Sequence, residues 1–420
     1  MHPPAVPAVP AAAVPTRGAR VARLGGPVLT LAAALAVALA LAGCRTAPAP
    51  ASASTLATVF RPEKLSAIDA AIGQAISSNR CPGGVFWLER RGVVYAKAYG
   101  RRSVEPSQEP ASVDTVYDAA SLTKVLATAP AVALLIEQGR VDPDRPLAHY
   151  LPAFGTRGKE AITVRQVLTH TSGLRPGLGG GSWSGSDKAL ELACAETPTH
   201  PPDTKFVYSD INFILLGKLV ETVSGQPLDA FCEARLYRPL KMRDTGYRPL
   251  TRGMASDRIA PTECRGGEGC FRGEVHDPTA RRMGGVAGHA GLFTTASDVA
   301  RFCRMMDGGG ILDGVRVMRP ETVARMVAVQ TPPNLPKRGL GWDIDSPYAG
   351  PRGSLFPVGS FGHSGWTGTS LWQDPQSRTW VIFLSNRNHP SEEGNILALR
   401  RQLGTLAAES LVGVEFGGLR

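Results

Sequence analysis

Thr115-Val-Tyr-Asp-Ala-Ala-Ser121-Leu122-Thr123-Lys124, followed by an apolar run to Gly139, is the stretch of this 420-residue chain from which fold and chemistry are read together. Val116 and Tyr117 suit a strand, and Leu122 to Gly139 reads as a long apolar helix. Ser121 and Lys124 therefore stand at the start of that helix. Positions i and i+3 share one helical face, so the lysine amine reaches the serine oxygen. A serine hydroxyl is a poor nucleophile until a base removes its proton, and Lys124 is the candidate base. For that role the amine must be partly neutral, a state that burial or a neighbouring cation favours. The helix N-terminus adds backbone N–H groups and a positive dipole end for a developing oxyanion. A Ser-x-x-Lys is expected by chance about once in a chain of this length. Of all the lysines here, Lys124 alone has a serine three residues before it.

Two further clusters carry chemistry. Tyr208-Ser209-Asp210 precedes a second apolar helix beginning near Phe213. A tyrosine beside cations can act as a general base. Gly362-His363-Ser364-Gly365-Trp366 opens a terminal strand pair, Ser370 to Asp374 and Trp380 to Ser385. A small-residue strand lets a substrate backbone approach closely. His363 is expected to hold a carboxylate or to tune nearby pKa values. No Gly-x-Ser-x-Gly occurs, which argues against the α/β-hydrolase elbow.

Outward from these motifs, Glu63 to Ser78 has helical periodicity. Gly84 to Glu89 and Val93 to Tyr99 read as a hairpin turning at Arg91-Gly92. From Val141 to about Pro320, helices alternate with Gly/Pro-rich loops, and Asn395 to Leu411 is a last helix. The layout predicts an α/β lobe built from both ends of the chain, an antiparallel sheet flanked by helices. An all-helical lobe, about residues 121–320, is inserted in it.

Ser-x-x-Lys, Tyr-x-Asp and His-Ser-Gly in this order resemble the serine β-lactamase and penicillin-binding-protein superfamily, most of all its class C branch with DD-peptidases and esterases. Leu168-Thr-His-Thr-Ser-Gly-Leu174, Gly285-Val-Ala-Gly-His-Ala-Gly-Leu-Phe293 and Leu384-Ser-Asn-Arg-Asn-His-Pro390 extend the likeness over roughly residues 60–410. The resemblance implies a β-lactamase/transpeptidase-like fold and an acyl-enzyme on Ser121, with Lys124 and Tyr208 sharing the proton work. It implies an oxyanion hole from the backbone N–H groups of Ser121 and Trp366, and a substrate held along Asp210, His363, Ser364 and Gly365. No cofactor and no metal are implied. Class C β-lactamases carry Asn at the place of Asp210 and Lys at that of His363. An ionised Asp cannot donate to a substrate amide, and a mostly neutral His pulls less on a carboxylate. Both changes point away from efficient β-lactam hydrolysis and toward a DD-carboxypeptidase or esterase. The alternative is a catalytically weak penicillin-binding or cell-wall-sensing lipoprotein. His276, Asp277 and His289 are read as structural or cleft-lining residues, since their spacing fits no standard zinc pattern. His170 is read as a hydrogen-bonded turn residue.

The N-terminus reads as targeting. Arg17, Arg20 and Arg23 precede an apolar stretch, Val28 to Gly43, shorter than the about 20 residues a spanning helix needs. Leu41-Ala-Gly-Cys44 resembles a lipoprotein processing site, so residues 1–43 are expected to be a signal peptide and Cys44 the lipidated residue. Residues 44–58 are read as a flexible linker and 59–415 as the hydrolase domain. An exported, membrane-anchored protein is expected, facing the periplasm on the outer membrane or lying at the cell surface. Six cysteines remain after Cys44. Cys264 and Cys270 bracket a glycine-rich turn suited to a local disulfide; the other four cannot be paired. The net charge of +10 is spread without Lys/Arg runs and interleaved aromatics, which excludes a nucleic-acid binder by composition. The expected partners are a small molecule or peptidoglycan peptide and a membrane; a monomer is expected.

Overall fold

The structure is a computed structural model that describes residues 53–266 and 269–417. The signal peptide and Cys44 lie outside the described residues. The frame is an eight-stranded antiparallel sheet. Its strands are β1 Gly83–Arg90, β2 Val93–Ser103, β3 Glu109–Pro110, β4 Lys337–Arg338, β5 Asp343–Asp345, β6 Phe361–Ser364, β7 Ser370–Asp374 and β8 Thr379–Ser385, in the order β4-β5-β6-β7-β8-β1-β2-β3. The chain thus enters the sheet from both ends, as the layout predicts. Arg91 and Gly92, both at positive φ, make the β1–β2 turn.

Both faces of the central strands are buried, which is why they read as continuous apolar runs. Val85 and Trp87 of β1 point to one core with Ile382 and Leu384 of β8. Phe86 and Leu88 point to the other with Phe383. The period of two sorts neighbours onto opposite faces. The second face is covered by α2 (Pro62–Ser77) and by α6 (Leu397–Ser410). The first packs on α5 (Ala296–Asp307) and, through it, on the inserted segment. That segment holds α3 (Ala129–Glu137) and α4 (Asp210–Ser224) at its centre.

Three expectations are corrected. The linker read as flexible to residue 58 is helical from Ala53 to Val59, here α1, because Leu56 and Val59 pack on the outer core beside Phe60, which bridges to Leu411. The inserted lobe is not all helical. Tyr117–Asp118, Leu292–Thr294 and Gly246–Tyr247 form a three-stranded sheet, with strands too short to show periodicity. The helix expected over 122–139 is broken into a 3₁₀ turn (Ala120–Leu122), a wide π turn (Lys124–Thr128) and α3. Pro130 has no N–H to give the carbonyl of Leu126, and the Tyr237 hydroxyl donates to that carbonyl instead at 3.3 Å. Ala120 to Glu137 is apolar and long enough to cross a membrane by composition, yet 83% buried in the domain core. Cys264 and Cys270 form the expected local disulfide; Cys81, Cys194, Cys232 and Cys303 are free and buried.

Candidate active site

Ser121 stands on a strained turn. Ala120 before it has a φ of +47°, a left-handed conformation that costs an alanine about 1–2 kcal/mol. Asp118 holds this turn. Its Oδ1 accepts from the backbone N–H of Ala120 and its Oδ2 from that of His276, both at 2.8 Å. Burial pushes the Asp118 carboxyl up to about 6. An amide here would set an NH2 against one of the two N–H donors. Asp118→Asn is therefore expected to cost about 1–3 kcal/mol. A thermal melt identical to wild type would show that these two bonds carry no weight.

The strand that faces Ser121 is fastened to the same turn. Thr367 donates to the carbonyl of Asp118 at 2.8 Å and Thr369 to that of Ala119 at 2.9 Å. A side chain at Gly365 would collide with Thr369 Oγ1 and the Ala119 carbonyl, at 2.2 and 2.6 Å, so glycine is required there. This approach brings Ser121 and Trp366 to the wall of one cavity of about 620 Å³, as an oxyanion hole from their N–H groups needs. Tyr208, His363, Ser364 and Gly365 line the same cavity.

Lys124 is fully buried. Its Nζ lies 2.9 Å from Ser121 Oγ, 3.2 Å from the carbonyl of His289 and 2.7 Å from Asp210 Oδ1. The serine–lysine pair is the one the i, i+3 spacing predicts. The charge state is not. Burial pulls the ammonium down, but the Asp210 carboxylate, with Tyr208, outweighs it and holds Lys124 above its usual value. Asp210, expected along the substrate, is absent from the cavity lining and acts as the counter-ion of Lys124. Lys124 is thus protonated at rest. Tyr208 is the neutral partner: burial pushes its phenol up, and Lys124 and Ser121 only partly oppose this.

His363 is also corrected. Its Nδ1 hydrogen-bonds the Ser364 carbonyl at 2.9 Å, so Nδ1 carries the proton and Nε2 presents a lone pair. Burial, with the nearby Arg338 and Lys124 charges, pushes His363 well below its usual value. A neutral imidazole with Nε2 free of partners accepts a substrate N–H or O–H; it does not hold a carboxylate.

His170 is the hydrogen-bonded turn residue expected. It sits at φ +61°, accepts from the Ser209 N–H through Nδ1 at 3.0 Å, and packs its ring on Tyr208 at 4.5 Å. It thereby orients the Tyr208 ring. The glycine-rich segment at 285–293 underlies Lys124: Gly288 and His289 offer their carbonyls to Thr128 and Lys124. His289 Nε2 pairs with Asp277 Oδ1 at 2.9 Å. Although burial opposes it, His289 holds the Asp277 carboxyl well below the usual range. Asp210, Asp277 and His289 place one donor atom each within 4.8 Å of one another, a set that could hold a metal ion, and the Lys124 ammonium is the cation beside them. Sequence reasoning missed Asp118, Arg400 and Arg401. The two arginines line the cavity, and nothing in a helical Arg-Arg pair signals that one of them is buried.

Comparison with known proteins bears on this geometry. The family model described as Beta-lactamase matches residues 68–405. Among curated relatives, the chain is 32% identical over 366 residues, covering 79% of this chain and 84% of the relative, to an Escherichia coli (strain K12) protein named "Putative D-alanyl-D-alanine carboxypeptidase". A Salmonella schwarzengrund protein of the same name is 30% identical over 365 residues, with the same coverage. Among solved structures, EstCE1, described as a hydrolase with promiscuous acyltransferase activity, superimposes with a TM-score of 0.66 at 22% identity, covering 82% of this chain and 98% of that one. A penicillin-binding protein homolog from Caulobacter crescentus gives 0.65 at 21%, with the same coverage. These two likenesses speak for the fold.

Proposed function

This chain belongs to the beta-lactamase family and is a serine hydrolase, and we propose that it is a carboxypeptidase that cleaves D-Ala-D-Ala-type peptidoglycan peptides through an acyl-enzyme on Ser121. The observation that carries this reading is the 2.9 Å contact between Ser121 Oγ and Lys124 Nζ, with Ser121 in the wall of a cavity that also holds two arginines. Neutral Lys124 takes the proton of Ser121 as Oγ bonds to the substrate carbonyl carbon. The N–H groups of Ser121 and Trp366 receive the negative charge on the carbonyl oxygen. As the C–N bond breaks, Tyr208 donates its proton to the leaving nitrogen and regains one from Lys124. Water then attacks the acyl-enzyme by the reverse proton path and frees Ser121. The His363 lone pair favours a peptide that offers an N–H, and Asp210 gives no amide donor to a β-lactam side chain. Slow, weak β-lactamase turnover follows from both.

The test is intact-mass spectrometry of the domain with a fluorescent penicillin, alongside D-alanine release from diacetyl-Lys-D-Ala-D-Ala. A single adduct on Ser121 and released D-alanine support the reading. Fast p-nitrophenyl acetate turnover with neither signal would replace it with an esterase. A stable adduct without D-alanine release would favour the sensing lipoprotein, for which the protonated resting Lys124 speaks. Export and lipid anchoring at Cys44 belong to the same proposal. Cys44→Ser is expected to move the protein from the membrane to the soluble fraction, and a variant still bound to the membrane would remove the anchor.

A further inference from the structure

The cavity beside Ser121 is larger and more apolar than a terminal alanine needs. Its volume is about 620 Å³, room for roughly twenty waters at about 30 Å³ each. A leaving alanine has six heavy atoms, so it would leave space in that volume even beside the acyl portion of the substrate along His363 and Gly365. Tyr348, Trp366 and Leu397 stand at its wall at 50, 61 and 67% exposure, and both aromatics among the exposed large hydrophobics of the described residues are there. Pro347, Pro351 and Ala398 continue the apolar wall. Exposed apolar surface gathered round a concave site marks a ligand surface.

The charged side chains of the cavity wall are Arg400, Arg401 and Asp343, and the last is already paired with Arg338 at 3.3 Å. Arg400 is 7% exposed and donates Nη2 to the carbonyls of Gly365 and Thr369 at 2.5 and 2.9 Å. Its Nε has no partner, and no carboxylate pairs with it among the described residues. Burial and the charge of Arg387 push it down to about 9, the mark of a guanidinium without a counter-ion. Arg401, on the next position of α6, is exposed and has no ion pair among the described residues. A buried cation lacking its anion is costly, and a ligand carboxylate would supply one.

The side of the scissile bond follows from the proton donor. Tyr208 lines this cavity, whereas Asp210, Asp277 and His289 do not. The group that protonates the leaving nitrogen must face the leaving portion of the substrate. Resting on the carboxypeptidase reading, we propose that this cavity is a subsite for the departing C-terminal residue, and that a departing D-residue with a large apolar side chain and a free carboxylate is preferred over D-alanine.

The experiment measures kcat/KM of the domain on diacetyl-Lys-D-Ala-X with X as D-Ala, D-Leu, D-Phe or D-Phe-amide. D-Phe is expected to exceed D-Ala by about tenfold or more, the worth of a filled apolar pocket. The amide-capped peptide should lose about tenfold against free D-Phe. Ala398→Trp, on the exposed first turn of α6, should reverse the order by filling the cavity. D-Ala as the best leaving residue, with D-Phe unimproved, overturns the subsite while the carboxypeptidase reading stands. No peptide cleaved and no penicillin adduct overturns both.

Discussion

Ser121→Ala is expected to abolish the penicillin adduct and to lower hydrolysis of any accepted ester or peptide by roughly a thousandfold or more, because it removes the atom on which the proposed covalent intermediate forms. The fold should survive. Ser121 Oγ hydrogen-bonds to Lys124, and on its loss the ammonium keeps Asp210 at 2.7 Å and the His289 carbonyl at 3.2 Å. The buried cation is therefore not stranded, and truncation to alanine leaves the strained Ala120 turn held by Asp118. Thermal melting within a degree or two of wild type, with no adduct in the intact-mass spectrum, is the expected pair of results. A folded variant that still forms a stoichiometric adduct would place the nucleophile elsewhere.

The parts of this site that are legible in the sequence are those set by local geometry. Ser121 and Lys124 meet because three residues of helix bring them to one face, and they do so even though Pro130 makes the following turn wide. The central strands announce themselves because both faces are covered, so β1 is buried throughout and runs apolar without a break from Val85 to Leu88. What is not legible depends on partners far away in the chain. Asp210 reads as a substrate contact by its position beside Tyr208. Only the packing of α4 against the wide turn shows that its carboxylate reaches Lys124. His363 reads as a carboxylate anchor or a tuner of nearby pKa values until its burial, with the Arg338 and Lys124 charges, is seen to keep it neutral. The helical α1 is hidden for a related reason. Its few apolar residues are ordinary in a linker and become informative only against α6 and Leu411.

Asp210→Asn tests the most consequential of these non-local pairings. In the wild-type resting state Lys124 is held above its usual value, so the neutral amine that can take the Ser121 proton grows as pH rises into the alkaline range. Hydrolysis of a neutral ester is therefore expected to climb with pH, without a plateau near neutrality. Removing the Asp210 charge leaves burial as the dominant effect on Lys124, and burial lowers it. The rising limb should then shift toward acid, and at pH 7 p-nitrophenyl acetate turnover should increase by about tenfold for each unit of displacement. Stability moves the other way. A lysine raised on folding contributes its full share below its unfolded value and loses it as pH rises through the folded one. At neutral pH the wild-type pair is thus fully stabilising, and the variant should lose about 1–3 kcal/mol, less than for a pair buried on both sides, since the Asp210 side chain is 34% exposed. Faster ester turnover from a less stable protein is a combination that loss of a merely structural ion pair does not produce. A variant slower at every pH, with its rising limb unmoved, would instead make Asp210 a proton acceptor in the reaction and would overturn its assignment as the counter-ion that keeps Lys124 charged.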